Sequence, residues 1–366
     1  RRVLFRSVRD LSLFARNERI VLSCERAARF GRTLTASGAE LVKAKSMYGM
    51  RRGRVLLLCA MTISKNIRGF CFALLGGISW GFSGACAQYL FHHYNVDPLW
   101  VSSVRMLCAG IVLCAFALAI ARGPFLAMWR NRNTVASLVV FSVFGLAACQ
   151  ITYLLAIQNS NAGTATVIQY IAPVLVVLYL CLRSHRRPLK REVLAIALVI
   201  TGTFLVATHG NLGSLALTPA GLFWSLVSAV TYAMYTLIPR RLMLHYGSVP
   251  VVAGALLIGG IIFSAALQSW TVDPGFDSSG WLLLFFGLVL FGTIIGFTLY
   301  FQAVKDIGAT KTGIVASIET VSATLFAVLW LGTSFSWIDI VGFVFIMATV
   351  FVLAKHPGDG DIKAEK

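Results

Sequence analysis

The connectors between apolar runs constrain this chain more than any other feature. From residue 69 onward ten apolar segments follow one another, at 69–91, 99–121, 135–157, 164–182, 193–209, 219–238, 250–269, 281–304, 312–331 and 337–354. Each is near the ~20 residues a helix needs to cross ~30 Å of hydrocarbon. Five connectors, at 92–98, 158–163, 210–218, 270–280 and 332–336, hold no Lys or Arg. The alternate ones are basic. Arg122, Arg130 and Arg132 follow the second run, and Arg183, Arg186, Arg187, Lys190 and Arg191 the fourth. Arg240 and Arg241 follow the sixth, Lys305 and Lys311 the eighth, and Lys355, Lys363 and Lys366 the tenth. Ten crossings thus put fifteen cations on one side of the membrane and none on the other. Cation-rich loops stay in the cytoplasm, so both termini are expected there.

The composition agrees. Hydrophobic residues make up 58% of the chain and charged ones 13%, with a mean hydropathy of +0.79. Soluble domains carry about a quarter charged residues, so two soluble domains, the first guess for 366 residues, are excluded. The net charge is +18, of which residues 1–66 supply +11. Basic chains can bind nucleic acid, but the other cations sit in connectors, so no nucleic-acid partner is expected. The cysteines (Cys24, Cys59, Cys71, Cys86, Cys108, Cys114, Cys149 and Cys181) show neither metal-ligand spacing nor a secreted disulfide framework.

Residues 1–66 are expected to be a basic extension outside the fold, non-native or mis-started. The heptapeptide RRVLFRS at 1–7 reads like a translated sequencing adapter, and Met50 or Met61 is the expected start. The run VLLLCAMTI at 55–63 mimics a signal peptide, but nine residues are too few to span.

A shift of 147 residues aligns 150–207 with 297–354 without a gap. Tyr153 falls on Tyr300, Ala156 on Ala303, Ile171 on Ile318 and Leu182 on Leu329. Nine of 58 pairs are identical, which is thin in apolar sequence, so the shared rhythm of runs and connectors carries the inference. Each half has five runs, an odd number, so the second half enters the membrane inverted. The expected fold is an all-α membrane protein of ten transmembrane helices in two inverted five-helix repeats, 67–209 and 210–355. A short polar cytoplasmic tail, 356–366, follows. Inverted repeats are the architecture of many secondary transporters, with the site near mid-membrane between the halves.

Two charged residues lie well inside runs, Arg105 and Glu319. Intramembrane charges are costly and mark cavities or partners. Arg105 is seven residues from Pro98 and Glu319 eight from Lys311, roughly 10 and 12 Å deep from opposite faces. Both can therefore line one central chamber. Arg105 is expected to hold an anionic group of a substrate, or to pair with Glu319 when the site is empty. Glu319 is expected to bind a substrate amine or carry a coupling proton. The competing readings are snorkelling of Arg105 to the interface and a helix contact for Glu319. Weaker candidates are Trp80, Gln88, Gln150, Gln169, Tyr170, Tyr232, Tyr235 and Tyr300, since a polar group in a span needs a partner. Trp100, Trp270, Trp281 and Trp337 suit an interfacial belt. Gly77 and Gly81 form a GxxxG for close helix approach, and Pro173 is expected to kink the fourth helix. The histidines lie at span ends or in loops, and phosphate loops and nucleophile elbows are missing, so neither enzyme chemistry, a cofactor nor a metal is expected.

Residues 69–355 resemble a ten-helix, bacterial inner-membrane member of the drug/metabolite transporter superfamily, of the EamA type. Trp80-Gly81 matches the family's Trp-Gly in the first span, and Arg105 its early Arg in the second. Tyr153-Leu-Leu-Ala156 and Tyr300-Phe-Gln-Ala303 resemble its Tyr/Phe-x-x-Ala pattern. The family's Glu-Pro pair is divided here, as Ala172-Pro173 in one half and Glu319-Thr320 in the other. The resemblance implies export or exchange of a small metabolite such as an amino acid, amine or drug-like amphiphile, by alternating access across the bacterial cytoplasmic membrane. Expected partners are that solute, the bilayer and a coupling proton, and a homodimer is compatible. The alternatives are a nucleotide-sugar or phosphorylated-metabolite exchanger, which should need more intramembrane cations, a membrane-embedded enzyme, or a non-transporting subunit.

Overall fold

The computed structural model describes residues 38–209, 211 and 216–354. The adapter-like heptapeptide and the expected polar tail lie outside the described residues. The chain divides into two units, Arg1–Ile63 and Ser64–Lys366. In the first, residues 38–63 are helical. The fold and the candidate site lie in the second.

Among the described residues there are no strands. Nine helices among these residues are long and apolar enough to cross a membrane: Asn66–Tyr94, Pro98–Ile120, Arg132–Asn159, Ala162–Arg183, Lys190–Thr208, Pro219–Tyr246, Ser248–Ala266, Ser278–Ile307 and Lys311–Leu329. A tenth apolar helix, Trp337–Leu353, is slightly shorter. These are spans one to ten. Their outward faces explain the hydropathy. Leu182 is 75% exposed, Ile200 64% and Leu329 81%, which would drive association in water and suits lipid. The connector after span two is itself helical, Arg122–Arg130. Span six is interrupted at Ile238 and Pro239, between the helices Pro219–Leu237 and Arg240–Tyr246.

The two halves meet through equivalent spans that run antiparallel. At one end of spans two and seven, the Trp100 indole N–H donates to Ser269 O at 2.9 Å and Ser103 bonds the Ser269 hydroxyl at 2.7 Å. Further along, a Cβ on Gly110 would lie 2.6 Å from Leu257 N, so only glycine permits this approach. Spans five and ten repeat the arrangement. Gly202 and Gly342 face each other's carbonyls at 2.8 Å from an added Cβ, and His209 meets Asp339 at 2.9 Å one end further. Residue numbers rise on one helix as they fall on the other, as an inverted repeat requires.

Trp100 corrects one expectation. It is 4% exposed and spends its N–H on Ser269, so it belongs to the packed core and not to an interfacial belt. Trp270 and Trp337, at 73% and 85% exposed, do face outward.

On the side without basic loops, the Asp277 carboxylate accepts from the Tyr94 hydroxyl, from Ser279 Oγ at 2.7 Å and from Gly280 N at 2.9 Å. It ties the end of span one to the start of span eight. These donors hold the carboxyl well below the usual carboxylate range. A carboxyl whose folded value is depressed stabilises the fold fully above its unfolded value, near 4, and loses that contribution only in strong acid. Asp277→Asn is therefore expected to lower the melting temperature by the same amount from about pH 5 to pH 8. A penalty that varied across that interval would show the carboxylate is not held this way.

Candidate functional site

Spans four and nine are each broken at mid-length, at positions 147 residues apart. Span four stops at Gln169 and restarts as Ala172–Arg183. Pro173 sits in the first turn of the new half-helix, where its missing N–H costs nothing. The result is a break and not the expected kink. Span nine stops at Ala316 and restarts as Ile318–Leu329 without any proline. Hydroxyls stabilise that break. Ser317 Oγ donates to Ile314 O at 2.6 Å, and Thr320 Oγ1 to Ser317 O at 2.9 Å. Two further segments are wound as π-helix, Phe141–Ala147 in span three and Leu283–Ile295 in span eight. Such segments often mark functional sites.

Between the halves lies a cavity of about 300 Å³. Arg105, Glu319, Trp80, Gln150, Gln169, Tyr232 and Tyr300 all line it. Gln88 does not. Its amide is bonded to Ala162 N and to Thr333, one helical turn away on the side without basic loops. Tyr170 stands behind the wall and touches it through Glu319.

Among the described residues, Arg105 and Glu319 are the only Lys, Arg, Asp or Glu side chains lining this cavity, at 6% and 9% exposed. Arg105 does not snorkel. Its Nε donates to Thr293 Oγ1 at 2.8 Å and its Nη2 to Gly292 O at 3.2 Å, both on the π-helical segment of span eight. Nor does it pair with Glu319. The Glu319 carboxylate instead accepts from the Tyr170 hydroxyl at 3.1 Å, a bond between the two broken helices. The two charges therefore share the cavity while anchored to different partners. Glu319 also lies in the first turn of its half-helix, where unpaired N–H groups favour a negative charge.

The remaining wall is aromatic. Trp80 packs on Tyr300 at 5.2 Å and on Phe297 at 5.5 Å between ring centres. Tyr232 packs on Tyr235 at 5.8 Å. Cys149, Tyr153, Phe297 and Phe301, not among the site residues expected from the sequence, also line the cavity. Their signal was helical spacing. Leu146, Cys149, Gln150, Tyr153 and Leu154 form one face of span three, as Phe297, Tyr300, Phe301 and Val304 do in span eight. The lining continues to Pro239, Met243, Ser248 and Val304, beside Arg240, Arg241 and Lys305, so the cavity extends toward the basic loops. The opposite end is sealed by a packed core that includes Leu90, Trp100, Leu154, Ile157, Leu284 and Leu288. Among the described residues no three His, Cys, Asp or Glu side chains gather as a metal site.

The profile of the EamA-like transporter family matches residues 67–208 and 219–355. The chain belongs to the EamA-like transporter family. The uncharacterized inner membrane transporter YicL of Salmonella typhimurium is 37% identical over 290 residues, covering 78% of this chain and 95% of YicL. The threonine/homoserine exporter RhtA of Salmonella typhimurium is 24% identical over 258 residues, covering 68% of this chain and 79% of RhtA. One solved crystal structure, 21% identical, superposes with a TM-score of 0.55 over 81% of this chain and 98% of its own. That likeness concerns the fold. This EamA-family chain is thus a multi-pass membrane transporter built of two repeated five-helix halves.

Proposed function

We propose that this transporter is a secondary exporter or exchanger of a small zwitterionic or amphiphilic metabolite, of the amino acid or amine type. It works by alternating access across the bacterial cytoplasmic membrane, with the basic loops and both termini in the cytoplasm. One observation carries the reading: among the described residues, a single cation and a single carboxylate line one aromatic cavity between inverted halves. A guanidinium has five donors, and Arg105 spends two of them on Thr293 and Gly292. The others meet a substrate carboxylate. Glu319 uses Oε2 on Tyr170, leaving Oε1 for an amine or a coupling proton. Trp80, Tyr232 and Tyr300 pack on the solute's apolar part, and Gln150 and Gln169 supply amide hydrogen bonds. The amino acids named for RhtA have this pattern of charges. A phosphorylated solute would need more than one cation.

The test is a solute panel on proteoliposomes, with and without an imposed proton gradient. Saturable flux of one charged amphiphile class, driven by the gradient, is expected. Flux of phosphorylated solutes, or none with the chain alone, would overturn the assignment. Flux indifferent to the gradient would remove proton coupling.

A further inference from the structure

We infer that Gln88 is the latch of the outer gate and that the cavity above it is the chamber through which the solute leaves. The inference rests on the central cavity being the solute's mid-membrane station. On the side without basic loops lies a second cavity of about 520 Å³, lined among others by Gln88, Tyr89, His92, His93, Asn161 and Thr333. Among the described residues no Lys, Arg, Asp or Glu lines it. The central cavity holds the two charges, while this one offers neutral hydrogen-bonding groups and two histidines. A zwitterion passing from one to the other gives up fixed charges for partners that resemble water, which suits release.

A thin plug separates the two. Gly84 lines the central cavity and Gln88 the outer one, a single helical turn of span one apart, about 6 Å. Gln88 is 5% exposed and both ends of its amide are used. Its Oε1 accepts from Ala162 N at 2.8 Å, an N–H at the start of span four that the helix itself leaves unpaired. Its Nε2 donates to Thr333 Oγ1 at 3.0 Å, in the connector between spans nine and ten. One side chain thus ties the first half's broken helix to the connector that follows the second half's. Alternating access toward this side has to part those elements, and both bonds exist only while the gate is shut. Below the latch, Tyr153 bonds Thr166 at 2.7 Å and continues the seal toward span four.

Cys149 reports the state of the gate, because it lines the central cavity. In the full chain with the other cysteines changed to serine, Cys149 is reacted with a membrane-impermeant methanethiosulfonate from each face of oriented vesicles. In the otherwise unchanged chain, labelling is expected mainly from the basic-loop face. Two buried hydrogen bonds are together worth on the order of ten-fold in a closed-to-open ratio. Gln88→Ala should therefore raise labelling from the opposite face about ten-fold without raising it from the basic-loop face. Thr333→Val removes one bond and keeps its shape, and should raise it about three-fold. His92→Cys, with Cys149 also removed, should react from the outer face while the gate is shut, because it lines the chamber.

Unchanged outer labelling in both variants would overturn the latch. So would equal labelling of Cys149 from both faces before any gate substitution. A rise on both faces in Gln88→Ala is what unfolding gives, and Thr333→Val then decides. A His92→Cys thiol that reacts only from the basic-loop face would overturn the chamber. No solute enters the assay, so a failed solute panel counts against the proposed function and leaves the gate standing.

Discussion

Glu319→Gln is expected to remove the pH dependence of transport and to slow it about 10- to 100-fold at neutral pH. The substitution isolates charge from shape. Glutamine keeps a carbonyl that can accept from the Tyr170 hydroxyl, so the bond between the two broken helices survives. What disappears is a carboxylate able to receive an amine or a proton. A charge-assisted hydrogen bond is worth about 1.5–3 kcal/mol, which sets the size of the loss. Arg105→Gln should lose a similar factor for solutes that carry a carboxylate and much less for simple amines, because it removes the cation but not Glu319. Rates in proteoliposomes between about pH 5.5 and pH 8, for zwitterionic and purely cationic solutes, test both. If Glu319→Gln kept the wild-type pH profile, Glu319 would be a helix contact and the coupling proton would have to be sought elsewhere.

The membrane architecture was open to reading because its causes are local in sequence. Spans declare themselves through uninterrupted apolar length, and their orientation through Arg186, Arg187, Lys190 and Arg191 on one connector and none on 270–280. Arg105 and Glu319 were visible for the opposite reason, since nothing else in their runs is charged. The breaks were not visible. Ser317 carries no helix-breaking signal, and the hydroxyls that bond the Ile314 and Ser317 carbonyls at the break come from residues that sequence alone does not mark. Sequence suggested an Arg105–Glu319 pair because depth alone places them together. It could not foresee that a π-helical winding in span eight would present Gly292 and Thr293 to Arg105 first. In the sequence Gln88 is one polar candidate among several. Its partners, Ala162 and Thr333, are 74 and 245 residues away, and only the folded chain brings them together.

The GxxxG in span one, a weak motif by itself, gains a definite role from what it touches. Gly77 and Gly81 lie against the break in span nine. A Cβ on Gly77 would be 2.6 Å from Ala316 O, and one on Gly81 would be 2.6 Å from Ala323 N and 2.8 Å from Glu319 O. It would also collide with Ser322 Oγ, which already bonds Glu319 O at 3.0 Å. Most of these atoms are backbone and cannot rotate away. Gly81→Ala must therefore push the half-helix that carries Glu319, with an overpacking cost of about 1–3 kcal/mol. Gly81→Leu should prevent assembly of spans one and nine. The expected result is a lower melting temperature in detergent and loss of transport for Gly81→Ala, and no folded protein for Gly81→Leu. Removing the nearest side chain with Ser322→Gly should not rescue Gly81→Ala, because Ala323 N and Glu319 O remain in place. Gly313→Ala is the control. It lies in the same span with open space around an added Cβ, and alanine there should be neutral or stabilising by about 0.4–1 kcal/mol. If Gly81→Ala behaved like Gly313→Ala, span one would not press on the break, and the position of Glu319 would have to be set by Tyr170 and its own helix alone.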